Sequence, residues 1–245
     1  MMNIRSYLLP LNFGILLSAL SLFLCSPASA RDILLLGGTE GSVGDGSIYN
    51  YYAYVSIIAP LSQNRIGDGF VQKYWLDYLG YNYMADSQEI DATGIGIEGA
   101  LGYQFSGASG WGGAYIGIRY SDTRLSPDNP DSRVRGSQLW AKIQLEGEKK
   151  LDPGWKINGI GSYILALDGY WIRGRVMYRT HNEVFTGPEI VSQGDPEYRA
   201  WQWGWFITGF EPMPNMDLGV KAGIRRTEKA ESGVYLGVEL SRSYQ

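Results

Sequence analysis

The residue types that most often carry catalysis are scarce in this chain. Its 245 residues include one histidine, His181, and one cysteine, Cys25. A serine triad needs a positioned histidine base, and a zinc site of the usual kind needs several histidine or thiolate ligands. His181 stands in a polar stretch next to Glu183, a setting typical of a solvated side chain. We therefore expect a protein that is not an enzyme, with no catalytic residue, no metal site and no cofactor.

Carboxylates are the other groups that could do chemistry here. Glycosidases use two carboxylates that flank the bond to be broken. Glu146 and Glu148 would share one face of a strand, about 7 Å apart. The alternative, which we favour, is an interior salt-bridge network, because buried charges need partners. The expected network consists of Glu98, Arg119, Lys142, Glu146, Arg173, Arg175, Lys221, Arg225 and Glu239.

Aromatic side chains could bind a polysaccharide by stacking on its sugar rings. The chain has 18 tyrosines and 8 tryptophans. Aromatic girdles at membrane interfaces explain such a composition without any ligand, so both interpretations stay open. The candidate polysaccharide contacts are Trp111, Tyr198, Arg199 and Trp201.

The N-terminal segment predicts export. Arg5 precedes a mostly apolar run, which ends in small residues at Ala28 and Ala30. This is the pattern of a cleaved signal peptide. The net charge is −4 and no basic stripe is present, so nucleic acid is not an expected partner. We expect a signal peptide over residues 1–30, a flexible glycine-rich lead-in over 31–46, and a folded part over 47–245.

Hydrophobic alternation with a period of two predicts strands in the folded part. Five segments alternate clearly: 112–120, 138–146, 201–208, 218–225 and 234–241. Five further segments are plausible strands: 47–60, 69–84, 94–106, 155–167 and 170–180. The expected fold is all-β, a closed antiparallel up-and-down transmembrane β-barrel of about ten strands, within a range of about 8 to 12.

The residues on the two alternating strand faces favour a membrane barrel over a soluble one. A soluble barrel is apolar inside, whereas a membrane barrel is apolar outside. One apolar face carries Trp201, Trp203 and Trp205, a row that would promote aggregation on a water-exposed surface. A soluble periplasmic β-barrel that binds a small ligand remains the alternative. With ten strands, the long loop 181–197 would face outward and the connection 121–137 would lie on the periplasmic side.

Four long stretches resemble a known family. They span residues 69–83 (GFVQKYWLDYLGYNY), 121–150, 158–179 and 187–204, and include the pieces TRLSP and QGDP. These stretches resemble the cellulose biosynthesis protein BcsS family. The resemblance implies a Gram-negative outer-membrane protein that takes part in making, exporting or anchoring cellulose, an exopolysaccharide. It carries over no catalytic residue.

The expected function combines these observations. We expect a non-catalytic outer-membrane accessory protein of cellulose biosynthesis or secretion. Small barrels fill with side chains, so it would not conduct the glucan freely. Outer-membrane lipid is an expected partner, and cellulose and the cellulose synthase or export subunits are candidate partners. An outer-membrane enzyme that modifies lipid or glycan is a further alternative.

Overall fold

The structure is a computed structural model that describes residues 32–44, 49–61, 65–85, 88–228 and 232–244. The expected signal peptide, residues 1–30, lies outside the described residues. In the described part, a search for apolar helices of membrane-spanning length finds none.

Twelve strands make up the described fold. Their bounds are β1 Ile33–Gly44, β2 Tyr49–Pro60, β3 Gly69–Ala85, β4 Gln88–Gly107, β5 Gly110–Ser126, β6 Gly136–Asp152, β7 Trp155–Ile164, β8 Gly169–His181, β9 Val184–Gly194, β10 Arg199–Phe210, β11 Met216–Thr227 and β12 Gly233–Tyr244. Each strand pairs with its neighbours in the chain, and β1 pairs antiparallel with β12 to close the barrel. Closure satisfies the edge strands, which would otherwise expose a row of unpaired backbone groups.

The antiparallel order defines two ends of the barrel. Ile33 at the start of β1 is the register partner of Tyr244 at the end of β12. We call this side the terminal end and the opposite side the far end. Connections that follow odd-numbered strands, such as residues 127–135 and 195–198, lie at the far end. Connections that follow even-numbered strands lie at the terminal end.

The expected closed antiparallel up-and-down barrel is confirmed, with twelve strands instead of about ten. Both additional strands fall in segments that were expected to be irregular. Residues 33–44, part of the expected flexible lead-in, form β1. Residues 184–194, part of the expected long loop, form β9.

The two additional strands correct the expected sidedness of the loops. With β1 in place, every connection between it and β9 moves to the other end of the barrel. The remaining connection between β8 and β9, residues 182–183, therefore lies at the terminal end. The connection 127–135 lies at the opposite, far end.

The outer surface of the barrel is apolar. Ile116, Trp203 and Leu236 point outward, with 64%, 64% and 60% of their surface exposed. Arg225 and Lys142 point inward and are largely buried. This is the expected direction of the alternation, and it is opposite to that of a soluble barrel. The soluble periplasmic alternative is therefore wrong.

An apolar cluster fills part of the interior at the terminal end. Its buried members are Ile58, Val71, Ala100 and Tyr115, and the partly buried Leu34, Leu36 and Ile66 pack against it. Ile66 belongs to the connection between β2 and β3. The backbone N–H of Gly67 in that connection donates to the side-chain oxygen of Gln104 at 2.8 Å. The connection is thereby held against the inside of the barrel.

Candidate functional site: the barrel lumen

We call the space enclosed by the inward-facing side chains the lumen. Two groups of polar side chains occupy its middle. The β3–β6 cluster contains Lys73, Asp77, Glu98, Arg119, Lys142, Gln144 and Glu146. The β8–β1 cluster contains Glu40, Arg173, Arg175, Glu189, Gln202, Lys221, Arg225 and Glu239.

Charges are matched in the β3–β6 cluster. Glu98 lies between two lysines, 3.1 Å from the Nζ of Lys73 and 2.6 Å from the Nζ of Lys142. Arg119 donates twice to Asp77, at 2.5 and 2.8 Å, the two-pronged geometry that planar guanidinium and carboxylate groups favour. Each of these five ions therefore has a partner of opposite sign, as low-dielectric surroundings require.

The two carboxylates considered for glycosidase chemistry have other partners. Glu146 accepts hydrogen bonds from the Tyr115 hydroxyl at 2.6 Å and from Gln144 at 2.8 Å. Glu148 lies 3.3 Å from the Nζ of Lys156. Both carboxylates thus belong to contacts within the barrel wall, and this arrangement favours the structural interpretation.

Glu239 is the centre of the β8–β1 cluster. Its carboxylate lies 3.0 Å from Arg173, 2.8 Å from Arg175 and 3.4 Å from the Nζ of Lys221. Arg173 and Arg175 are on β8 and Glu239 is on β12, so these contacts join strands that are four positions apart in the barrel. Ion pairs between such distant strands cross the lumen instead of following the wall.

Two further carboxylates complete this cluster. Glu189 accepts a hydrogen bond from the Nε of Arg175 at 2.6 Å. Glu40 lies 2.8 Å from Lys221 and 3.2 Å from Arg225, and it also accepts a hydrogen bond from Gln202. The three carboxylates face four cations, so this side of the lumen carries one excess positive charge.

Solvent barely reaches the middle of the lumen. Lys73 and Gln202 are 1% exposed, and Glu98 and Glu189 are 2% exposed. Polar side chains with so little exposure are in contact with other protein atoms on all sides. The lumen is therefore packed at this height, and its cross-strand ion pairs contribute to that packing.

Stacked aromatic rings line the lumen between β2 and β3. The rings of Tyr54 and Trp75 are nearly parallel at 5°, with centroids 4.3 Å apart. The Nζ atoms of Lys73 and Lys142 lie 5.3 and 5.9 Å from the Trp75 ring, within cation–π range. These contacts connect the aromatic side chains to the β3–β6 cluster.

Connections at the far end pack on one another above the lumen. Glu197 accepts hydrogen bonds from the hydroxyl of Ser132 at 2.7 Å and from the backbone N–H of Arg133. The Arg133 guanidinium donates to the backbone oxygen of Ala166 at 2.8 Å. Three connections, residues 127–135, 165–168 and 195–198, therefore form one cap, which we call the far-end cap.

Asp195 organises the turn that enters this cap. Its carboxylate accepts the backbone N–H groups of Glu197 at 2.8 Å and Tyr198 at 3.0 Å. Burial raises the pKa of the Asp195 carboxyl above its usual range, and the nearby Glu197 carboxylate also raises it, while the two backbone hydrogen bonds lower it. The turn holds Tyr198, whose hydroxyl interacts with Arg225.

All nine residues expected in the interior network lie on the lumen side of the barrel. Eight take part in ion pairs with other members or with Lys73, Asp77, Glu40 or Glu189. The ninth, Glu146, accepts a hydrogen bond from the hydroxyl of Tyr115. Six members of the two clusters were not expected from the sequence. They are Glu40, Lys73, Asp77, Gln144, Glu189 and Gln202. Lys73 and Asp77 alternate with apolar residues along β3, so periodicity could have identified these two.

The four candidate polysaccharide contacts do not form one site. Trp111 is half-buried at the start of β5, at the terminal end. Tyr198 lies in the far-end cap and faces the lumen. Arg199 and Trp201 are exposed on the outer face of β10. The structure therefore places the four residues in three separate regions, with only Arg199 and Trp201 on the same face.

His181 and Glu183 lie at the terminal end. His181 is exposed at the end of β8. The side chain of Glu183 is 81% exposed, and its nearest charged partner is Arg179, 3.9 Å away. Across the described ranges, no group of three or more histidine, cysteine or acidic side chains could hold a metal ion.

Solved structures with a similar fold are outer-membrane barrels. An outer membrane channel from Pseudomonas putida F1 is 12% identical, with a TM-score of 0.55 over 90% of this chain and 100% of that one. The β domain of the Bordetella autotransporter Brka is 10% identical, with a TM-score of 0.52 over 88% and 100%. The transport unit of the autotransporter AIDA-I from Escherichia coli is 8% identical, with a TM-score of 0.52 over 95% and 97%. At these identities the likeness concerns the fold alone.

Sequence comparison identifies one family. The family described as "Cellulose biosynthesis protein BcsS" matches residues 32–244, which is the whole barrel from β1 to β12. A search among curated proteins finds no match to the chain.

Proposed function

This chain belongs to the cellulose biosynthesis protein BcsS family, and we propose that it is a non-catalytic outer-membrane accessory protein of cellulose production. In this role the barrel anchors or organises the machinery at the cell surface. It does not act as the conduit for the polymer.

The packed lumen is the observation that carries this proposal. A conduit for a glucan chain needs a continuous water-filled path along the barrel axis. At mid-height the side chains of Glu98, Glu189 and Gln202 are almost fully buried, and ion pairs from β8 to β12 cross the interior. Opening such a path would break these ion pairs and the hydrogen bonds that pack the side chains at mid-height. A packed barrel is better suited to holding a position in the membrane.

The proposed location follows from the outer surface and the N-terminus. The apolar exterior suits contact with lipid, and residues 1–30 have the pattern of an export signal that is removed. In this arrangement the terminal end faces the periplasm and the far-end cap faces the cell exterior. The far end would then be the side that meets exported cellulose, and the terminal end the side available to periplasmic subunits.

Deletion and complementation in a cellulose-producing host test the function. We expect deletion to lower the cellulose output measured by enzymatic digestion of the washed polymer. The wild-type chain and a His181→Ala/Glu183→Gln variant should restore output equally. An unchanged output after deletion would contradict a role in cellulose production. Loss of rescue by the double variant, with normal barrel levels in the outer-membrane fraction, would instead support an enzyme.

A further inference from the structure

Three tyrosines form a continuous aromatic surface at the far end of the lumen, next to the far-end cap. The ring centroid of Tyr81 lies 5.9 Å from that of Tyr83 and 5.4 Å from that of Tyr198. Tyr81 and Tyr83 are on β3, whereas Tyr198 precedes β10. Because β3 and β10 lie on opposite sides of the barrel, the three rings reach across the lumen. We call this arrangement the tyrosine bridge.

The tyrosine bridge is held rigidly at its Tyr198 end. The backbone of Tyr198 pairs with Asp195 at both its N–H and its carbonyl, at 3.0 and 2.8 Å. Its hydroxyl interacts with Arg225, which lies 3.2 Å from Glu40. An aromatic side chain fixed in this way loses little conformational entropy when a ligand binds, which favours affinity.

Buried polar atoms without a partner lie beside the bridge. Within the described ranges, the side-chain oxygen of Asn50 and the hydroxyl of Tyr83 are buried and have no hydrogen-bond partner, and the same is true of the Nε of Arg225. Asn50 on β2 is the register partner of Tyr81 on β3. Leaving such groups unsatisfied costs about 1–3 kcal/mol each, so a ligand that supplies the missing partners would be favoured.

The charged groups near the bridge already have hydrogen-bond or ion-pair partners. Glu197 binds Ser132 and the backbone of Arg133, and Asp195 binds two backbone N–H groups. The terminal nitrogens of Arg225 bind Glu40 and Tyr198. What remains is a set of partly exposed aromatic rings beside one acceptor, one hydroxyl and one N–H that lack a partner, and a ligand reaches these three buried atoms only when neighbouring side chains shift. This chemistry matches a ligand that is uncharged, rich in hydroxyl groups and has apolar ring faces.

We infer that the tyrosine bridge is a binding site for a short segment of a neutral β-linked glucan. The ring faces of sugar units pack on Tyr81 and Tyr198, and their hydroxyl groups satisfy Asn50 and Tyr83. This inference rests on the proposed function, which supplies cellulose as the polymer present at the far end. It adds the residues and the chemical class of the ligand.

Calorimetric titration of the purified mature chain in lipid nanodiscs with cellohexaose tests the inference. We expect measurable binding, a loss of about tenfold in affinity for Tyr81→Ala, which corresponds to roughly 1.4 kcal/mol, and a smaller loss for Tyr83→Phe. Tyr103 lies on the outer face near the terminal end and is 48% exposed. The matched controls Tyr103→Ala and Tyr103→Phe should bind like the wild type.

Several outcomes would overturn the site. They are no binding by the wild-type chain, equal affinity of Tyr81→Ala and Tyr103→Ala, and binding of a galacturonate hexamer as tight as that of cellohexaose. Heat-dependent gel mobility shows which variants form a barrel, and Tyr83→Phe, which removes one oxygen atom, keeps the test valid if Tyr81→Ala does not fold. Failure of the proposed function is a separate result, because it is measured as unchanged cellulose output after deletion of the chain.

Discussion

Replacing Glu239 by glutamine should destabilise the barrel far more than the same change at an exposed glutamate. The Glu239 carboxylate is shared by Arg173, Arg175 and Lys221 at 2.8 to 3.4 Å. Glutamine keeps the shape but removes the charge. The β8–β1 cluster would then hold four cations against two carboxylates, Glu40 and Glu189.

The magnitude follows from the geometry of the three contacts. At about 3 Å and an effective dielectric constant of about 20, each contact is worth roughly 5 kcal/mol of Coulomb attraction. Part of this is offset because the neutral glutamine no longer carries the cost of burying a charge, which is several kcal/mol. Removal of one member of a buried ion pair costs about 3–5 kcal/mol net. We expect Glu239→Gln to lower the free energy of unfolding by an amount in this range.

Urea unfolding of the barrel in lipid vesicles, followed by tryptophan fluorescence, measures this loss. The matched control is Glu183→Gln, because the Glu183 side chain is 81% exposed, and it should change the free energy by less than about 0.5 kcal/mol. The double variant Glu239→Gln/Arg173→Gln should lose less free energy of unfolding than the two single variants lose together, by at least about 1 kcal/mol. A loss for Glu239→Gln no larger than that of the control would refute the assignment of a packed, ion-paired lumen.

Three further changes test other parts of the structure. Gly204→Ala should cost about 1–3 kcal/mol, seen as a lower urea midpoint, because a Cβ atom there would overlap the hydroxyl of Tyr235. Trp203→Arg on the outer face should cost about 2–4 kcal/mol in a bilayer, while Trp203→Leu should stay close to the wild type. The raised pKa of Asp195 means that the folded turn binds its proton more tightly than the unfolded chain does. The far-end cap should therefore be most protected from hydrogen exchange at low pH and lose protection as the pH rises through the folded pKa, and Asp195→Asn should remove this dependence.

Periodicity was sufficient to predict the barrel and the direction of its faces. Side chains alternate across a strand, so apolar residues such as Ile116 and Leu236 had to share a face. The tryptophan row at 201–205 indicated that this face points to lipid. These patterns are local, and each can be read within about ten residues of sequence.

The two missed strands show where local patterns fail. In β1, glycines at 37, 38, 41 and 44 resemble a flexible segment, but a Cβ atom on Gly38 would overlap the ring of Tyr54. The glycine is therefore required by a close approach between β1 and β2, which only the fold reveals. In β9, Pro188 lies opposite Trp205, and a proline normally argues against a central strand.

The members of the lumen clusters were only partly predictable for the same reason. Glu40 and Glu189 lie on the two missed strands, so no strand face was available on which to place them. The pairing of Arg173 with Glu239 spans 66 positions in sequence, and nothing local connects them. The tyrosine bridge depends likewise on the closure of the barrel, which brings Tyr81 and Tyr198 together.

The passage of sugars through the barrel is the most direct test of a packed lumen. Vesicles that contain the purified mature chain would be placed in an isotonic solution of cellobiose, and swelling would be followed by light scattering. Because a packed lumen blocks sugars, we expect the same swelling rate as for vesicles without protein. Rapid swelling of the kind produced by an open sugar channel would contradict it.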